Sequence, residues 1–232
     1  MKLRKYLIEI VGCSPYMFVP LYRIFGQNKR LLVNERTDIV IEGYPRSGNT
    51  FSVLAFQYAQ KDTPHIAHHL HASAQVIWAV KKSIPVVVLI REPIDAILSF
   101  VIRDKNVGID EAIKQYIRFY KSIIPYINDI VIAEFDTVIS DYGKIIRLIN
   151  EKYLSTFEVF NHTTENEQKV LELVQKAGEQ ESNDKIDERT VARPSVERTV
   201  LKEKILPELM SSRYTQCIKE AQDLYSMIIS EY

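Results

Sequence analysis

The sequence predicts an α/β fold with a central parallel sheet flanked by helices in three layers. Three observations predict it. Strand-like runs at 38–43, 83–91 and 129–135, with a short fourth at 65–69, alternate with stretches of helical periodicity, the pattern of strands joined by crossover helices. The run Pro85-Val86-Val87-Val88-Leu89-Ile90 is continuously apolar and β-branched, as a central strand buried on both faces must be. Between the first run and the first helix lies Glu42-Gly43-Tyr44-Pro45-Arg46-Ser47-Gly48-Asn49-Thr50-Phe51. This strand, Gly-containing turn and helix aim free backbone N–H groups and a positive helix end at one point, which is the geometry that holds an anion.

Composition sets bounds on the reading. The chain has 232 residues, 46% hydrophobic and 26% charged, which suits one domain with a sizeable core. Its 30 basic and 30 acidic residues cancel, so nothing points to bulk affinity for nucleic acid, and a basic site must be local. Cys13 and Cys217 lie far apart and form no metal pattern, which argues against a disulfide scaffold and fits a reducing, cytoplasmic compartment.

Taken in order, residues 1–36 form an N-terminal helical and aromatic extension to an α/β domain over 37–232. A basic start and an apolar run, Tyr6 to Cys13, suggest an anchor, but Glu9 interrupts the run well short of the ~20 residues that a spanning helix needs. The stretch Tyr16-Met17-Phe18-Val19-Pro20-Leu21-Tyr22-Arg23-Ile24-Phe25 has two open readings: a peripheral contact with a membrane, or a helix packed on the domain. Residues 48–60 read as the helix after the loop, and 65–69 as a short second strand. A helix over 72–82 covers the sheet with Ala74, Ile77, Trp78 and the Lys81 stem. Pro93 suits the first turn of a helix over 94–103. Ile109, Ala112, Ile113, Tyr116, Ile117 and Tyr120 share a face of a helix over 109–127, a stripe that reads as core. Asp136 is placed to cap a helix reaching about 154, and another covers 164–178. Residues 179–196 are polar and aperiodic and read as a long loop; a helical region interrupted near Pro207 follows to about 230.

The first loop has Walker-like glycine spacing, but Asn49 stands where a nucleotide-hydrolysing loop has lysine, and the cation is Arg46 inside the turn. Tyr44-Pro45-Arg46-Ser47-Gly48-Asn49-Thr50-Phe51 resembles the 5′-phosphosulfate loop of the sulfotransferases that use 3′-phosphoadenylyl sulfate (PAPS), usually Tyr-Pro-Lys-Ser-Gly-Thr-Thr-Trp. A second anchor is Arg91-Glu92-Pro93-Ile94-Asp95-Ala96-Ile97-Leu98-Ser99, similar to that family's Arg-Asp-Pro-x-Asp-x-x-x-Ser. The resemblance covers about 38–155, and more weakly 186–200, where Ala192-Arg193-Pro194-Ser195-Val196-Glu197-Arg198 looks like the Pro-Ser-x-x-Arg segment of bacterial members.

The resemblance implies a P-loop-like sulfotransferase domain with PAPS as sulfuryl donor, its desulfated product PAP, and no metal. Arg46, Ser47, Gly48, Asn49 and Thr50 would hold the 5′-phosphosulfate. Arg91 and Ser99 would hold the 3′-phosphate, with Arg193, Ser195 or Arg198 closing over it. Phe51 would stack on the adenine. Sulfuryl transfer needs a base to take the acceptor's proton, and four of the five histidines lie within 65–71. A His-Leu follows the second strand in the cytosolic members, which His69-Leu70 matches. Strand alternation puts His71 on the same face as His69 and His68 opposite, ranking His69 first, His71 second and His68 third, with Arg46 assisting catalysis. A zinc site from these histidines lacks a nearby Cys or carboxylate. The acceptor is a small metabolite, a glycan or a lipid-linked sugar, presenting a hydroxyl or amine. Two other readings stay open: a small-molecule kinase using ATP and Mg²⁺, and a non-catalytic nucleotide- or glycan-binding protein. For each functional residue there is a plain structural alternative: an ion pair to Glu92 or Asp95 for Arg91, a helix–sheet contact for Ser99, a helix cap for Ser195.

Overall fold

The computed structural model describes residues 11–181 and 196–231. Arg193 and Ser195 lie outside the described residues. Four parallel strands, β1 (Ile39–Gly43), β2 (Ile66–His68), β3 (Val86–Ile90) and β4 (Val131–Glu134), form one sheet in the order β2-β1-β3-β4. From β1 the chain steps to one side to reach β2 and to the other to reach β3. The order therefore reverses at the β1/β3 pair, where open α/β sheets bind ligands beyond their carboxyl ends.

Helices cover both faces. One face carries α1 (Pro15–Phe25), α3 (Ser73–Lys81), α4 (Pro93–Arg103), α5 (Ile109–Ile123) and α10 (Thr215–Ser230). Their apolar stripes meet the side chains of Val40, Val86, Val88, Ile90 and Ile132. The opposite face carries α2 (Asn49–Ala59), α7 (Tyr142–Tyr153) and α8 (Thr164–Glu181) over Ile39, Ile41, Val87, Leu89 and Val131. Successive strand residues thus feed two separate cores, as a period of two dictates. The short α6 (Phe135–Ser140) follows β4, and α9 (Val196–Leu209) packs on α4. Among the described residues no helix is long and apolar enough to cross a membrane.

The three-layer parallel architecture is the one expected, and three boundaries differ. The helix expected from Asp136 to about 154 is two helices. Asp141 breaks it (φ −150°) and its side chain accepts from the Lys144 N–H, capping α7, while Asp136 sits in the first turn of α6. Pro207 does not interrupt the C-terminal region: it lies inside α9, near its end, and the break comes at 210–214. The helix from Ile109 tightens to a 3-10 turn over Ile124–Asp129, where Pro125 cannot donate to the ladder.

Gly43 is where β1 and β3 come too close for a side chain. A Cβ there would lie 2.5 Å from the Leu89 carbonyl oxygen and 2.9 Å from its Cβ. That approach brings the ends of the two central strands, and the loops that follow, into one crevice.

Candidate active site

The loop after β1 turns on two residues in the left-handed region, Arg46 (φ 71°) and Gly48 (φ 92°). Gly48 precedes the first residue of α2, so the loop's amides and the helix's positive end face the crevice. Asn49 holds the loop in shape: its Nδ2 donates to the Tyr44 carbonyl at 3.0 Å. Tyr44 is itself pinned, its hydroxyl donating to Ala112 O at 3.0 Å and its ring edge-on to Tyr116 and Phe100. Ser47 is fully buried beneath the turn.

Four of the predicted anion-binding residues converge, each from a different element. Arg46 Nε donates to Ser99 Oγ at 3.1 Å, and Arg198 Nη2 donates to the same oxygen at 2.5 Å. Arg91 Nη1 donates to the Arg46 carbonyl at 3.3 Å. Arg91 leaves the end of β3, Ser99 sits two turns into α4, and Arg198 is in the first turn of α9. Arg91 also stacks on Phe135, 4.0 Å from the ring centre, and reaches Asp95 at 3.3 Å. α9 is held to α4 a second time by Lys202, 2.7 Å from Asp95. Burial pushes the Asp95 carboxyl up, but Lys202 and Arg91 together bring it below its ordinary value. The stripe on α5 is core, as expected, and also serves the site: Tyr116 and Tyr120 donate at 2.8 Å to the carbonyls of Arg91 and Leu89.

Phe51 is 7% exposed, with its ring edge-on to Tyr142 and tilted against His162. That face of α2 is part of the core, so most of the ring is committed to packing.

The histidines occupy the other side of the loop. β2 ends at His68, and His69 (φ 58°) and His71 (φ 51°) leave the extended region. Strand alternation therefore does not hold beyond His68, and all three rings gather in one cluster. Both ring nitrogens of His69 are engaged, Nδ1 with His68 Nδ1 and Nε2 with Thr50 Oγ1 at 3.2 Å. His71 Nδ1 lies 2.8 Å from the Gly43 carbonyl, which can only accept. The proton is thereby fixed on Nδ1, leaving Nε2 with its lone pair. Burial lowers His71 to about 4, helped by the nearby Arg103 cation, and lowers His68 to about 4; it takes His69 lower still. All three are neutral at pH 7.

Glu42, which sequence reasoning passed over, builds this geometry. Its carboxylate is fully buried at the end of β1 and accepts from Leu70 N–H (2.8 Å), His71 N–H (3.0 Å) and Gln75 Nε2 (2.8 Å). Burial pushes it up to about 8, against the pull of those donors. The signal was a lone carboxylate ending an otherwise apolar strand run. Among the described residues no group of three or more metal-ligating side chains is placed to hold an ion, the histidine cluster included.

His71 lines a cavity of about 710 Å³ with Tyr44, Leu70, Phe100, Arg103 and Arg118; His69 does not. Lys105 and Asp104 complete the charged part of the wall, giving three cations to one carboxylate.

No family model matches the chain, and no curated protein matches it. Among solved structures it is similar to mouse sulfotransferase SULT7A1 complexed with PAP, at 12% identity and a TM-score of 0.42, over 82% of this chain and 90% of that one. That likeness is too distant to bear on function.

Proposed function

We propose that the chain is a PAPS-dependent sulfotransferase that moves a sulfuryl group to a hydroxyl of an acceptor held in the cavity beside His71. The observation that carries this reading is the meeting of Arg46 and Arg198 on Ser99, with Arg91 bonded to the Arg46 carbonyl, at the sheet's switch point. A phosphate oxygen between these guanidinium groups would accept charge-assisted bonds, stronger than those they make to the neutral Ser99 hydroxyl. The donor set, a glycine loop with a helix N-terminus on one side and an arginine cluster on the other, fits a nucleotide phosphorylated at both ends. Asn49 in place of the Walker lysine is turned inward to Tyr44, which disfavours the kinase reading.

Bound PAPS supplies an activated sulfuryl group whose bond to the phosphate oxygen breaks as the acceptor oxygen attacks sulfur. The protein's part is positional and electrostatic. Arg46 and the loop N–H groups hold the phosphosulfate end and stabilise charge on the leaving phosphate oxygen. Arg91, Ser99 and Arg198 hold the 3′-phosphate. His71 Nε2 takes the hydroxyl proton while Nδ1–H stays bonded to Gly43 O; His69 orients Thr50 in the loop. The cavity's three cations favour an acceptor that also carries an acidic group.

Calorimetric titration with PAP and, separately, with ATP–Mg²⁺ tests the donor assignment. PAP should bind, and Arg91→Ala or Arg198→Ala should each weaken it at least about tenfold, the worth of one charged hydrogen bond of about 1.5–3 kcal/mol. Binding of ATP–Mg²⁺ with no response to PAP would replace this reading with a kinase. PAP binding without transfer across an acceptor panel, and unchanged turnover in His71→Ala, would leave a binding protein.

A further inference from the structure

Helix α1 is apolar all the way round. Pro15, Phe18 and Val19 are buried against the domain, where the helix packs on α3. The opposite half presents Met17, Leu21, Ile24 and Phe25, which are 54%, 43%, 63% and 70% exposed, flanked by Tyr16 at 67%. A surface helix ordinarily turns charge to solvent on that side; Arg23, at the seam, is the helix's only charged residue. Contiguous apolar exposure on this scale marks a contact surface.

The surrounding charge says what meets it. Residues 11–34 contain Arg23, Lys29 and Arg30 and no carboxylate, and residues 72–84, which include α3, contain Lys81 and Lys82 and no carboxylate. In a chain with equal numbers of acids and bases, both segments are thus wholly basic, and α1 packs on the helix that carries the second. Lys81 and Lys82 lie over the rings of Tyr16 and Trp78, at 4.9 and 5.7 Å, and those rings meet edge-on. A half-cylinder of apolar side chains, an aromatic pair at one end and a cationic border is the build of an interfacial membrane helix.

We infer that α1 docks the protein on an anionic lipid surface, inserting Met17, Leu21, Ile24 and Phe25 below the headgroups while the border cations meet lipid phosphates. This is independent of the sulfuryl-transfer reading. It also places the cavity at the interface, since Gly12 and Cys13, just before α1, and Ser73, at the start of α3, line it.

Flotation of the full chain with vesicles of phosphatidylcholine alone, and of phosphatidylcholine with about a third phosphatidylglycerol, tests the docking. Trp78, the chain's only tryptophan, reports contact through a blue shift of its emission. Binding to the anionic vesicles should exceed that to the neutral ones by at least about tenfold, given about 1 kcal/mol for each of several cations near the surface. Leu21→Asp with Ile24→Asp should abolish it, and Lys81→Glu with Lys82→Glu should lower it several-fold. Circular dichroism should show unchanged melting for both variants, because all four side chains are solvent-facing. Absence of binding to anionic vesicles, or binding that survives Leu21→Asp with Ile24→Asp, overturns the inference. So does light scattering that shows a dimer dissolved by that same pair of substitutions, since the face would then meet a second copy of the chain.

Discussion

The two sides of the loop after β1 handle buried ionisable groups in different ways. On one side Glu42 is a buried carboxyl whose partners come from the fold itself: three N–H donors reach it, while burial holds its proton on up to about pH 8. On the other, Arg46 and Arg198 both donate to the Ser99 hydroxyl. The first arrangement is complete as folded and acts as scaffold. The second is the one that the proposed function assigns to an incoming anion. A carboxyl that accepts three bonds within the fold and two cations that meet on one hydroxyl look alike in composition but predict different consequences when removed.

That contrast can be broken at its strongest point first. Glu42→Ala leaves three buried donors without an acceptor and should cost about 3–5 kcal/mol in urea unfolding. Arg198→Met should cost less, about 1–2 kcal/mol for the lost hydrogen bond to Ser99, and, with PAP bound as proposed, it should lower the rise in melting temperature that PAP gives. Equal destabilisation by the two substitutions would erase the distinction. Gly43→Ala comes next, since the clash is with β3 backbone; about 2–3 kcal/mol of overpacking is expected by the same assay.

Acid should act mainly on the histidine side. His68, His69 and His71 are all depressed below 6.5 by burial, so the unfolded chain binds more protons than the native one as pH falls from about 6.5 toward 4. Stability therefore rises with pH in that window, with a slope on the order of 1–3 kcal/mol per unit. Glu42, raised to about 8, contributes with the opposite sign between 4.5 and 8 and flattens the curve near neutrality. Melting temperatures measured from pH 7.5 down to 4.5 should be level at first and then drop. With His71 as the proposed base, the same depression should place the acid limb of the turnover profile near pH 4 rather than in the usual histidine range. The smallest effect is expected remote from both sides: Asp141→Ala removes the α7 cap and should cost about 1 kcal/mol without altering ligand binding.

What the sequence disclosed was what is local. A strand, a two-glycine turn and a helix follow each other in ten residues, and Arg91 and Ser99 are linked by the pitch of one helix, so both halves of the cationic cluster were legible. The arrangement of the histidines was not, because it depends on a carboxylate in another strand. Glu42 draws the N–H groups of Leu70 and His71 toward β1 and bends the chain out of the extended form, so a face assignment by alternation fails after His68. The split of the helix at Asp141 is likewise a contest between two local options, continuation or capping, which the docking of α7 on the sheet decides.

The position of Arg198 has a consequence in time. Ser99 and Arg198 are 99 residues apart, and Lys202 meets Asp95 across 107. Synthesis proceeds from the N-terminus, and every strand of the sheet is complete by Glu134. The nascent chain can therefore build its sheet and its glycine turn while the closing arginine has still to emerge from the ribosome. With Arg198 closing over a phosphate as proposed, competence for the nucleotide would be conferred last, by the arrival of α9, and a chain stalled before that point would be folded in outline with its site incomplete.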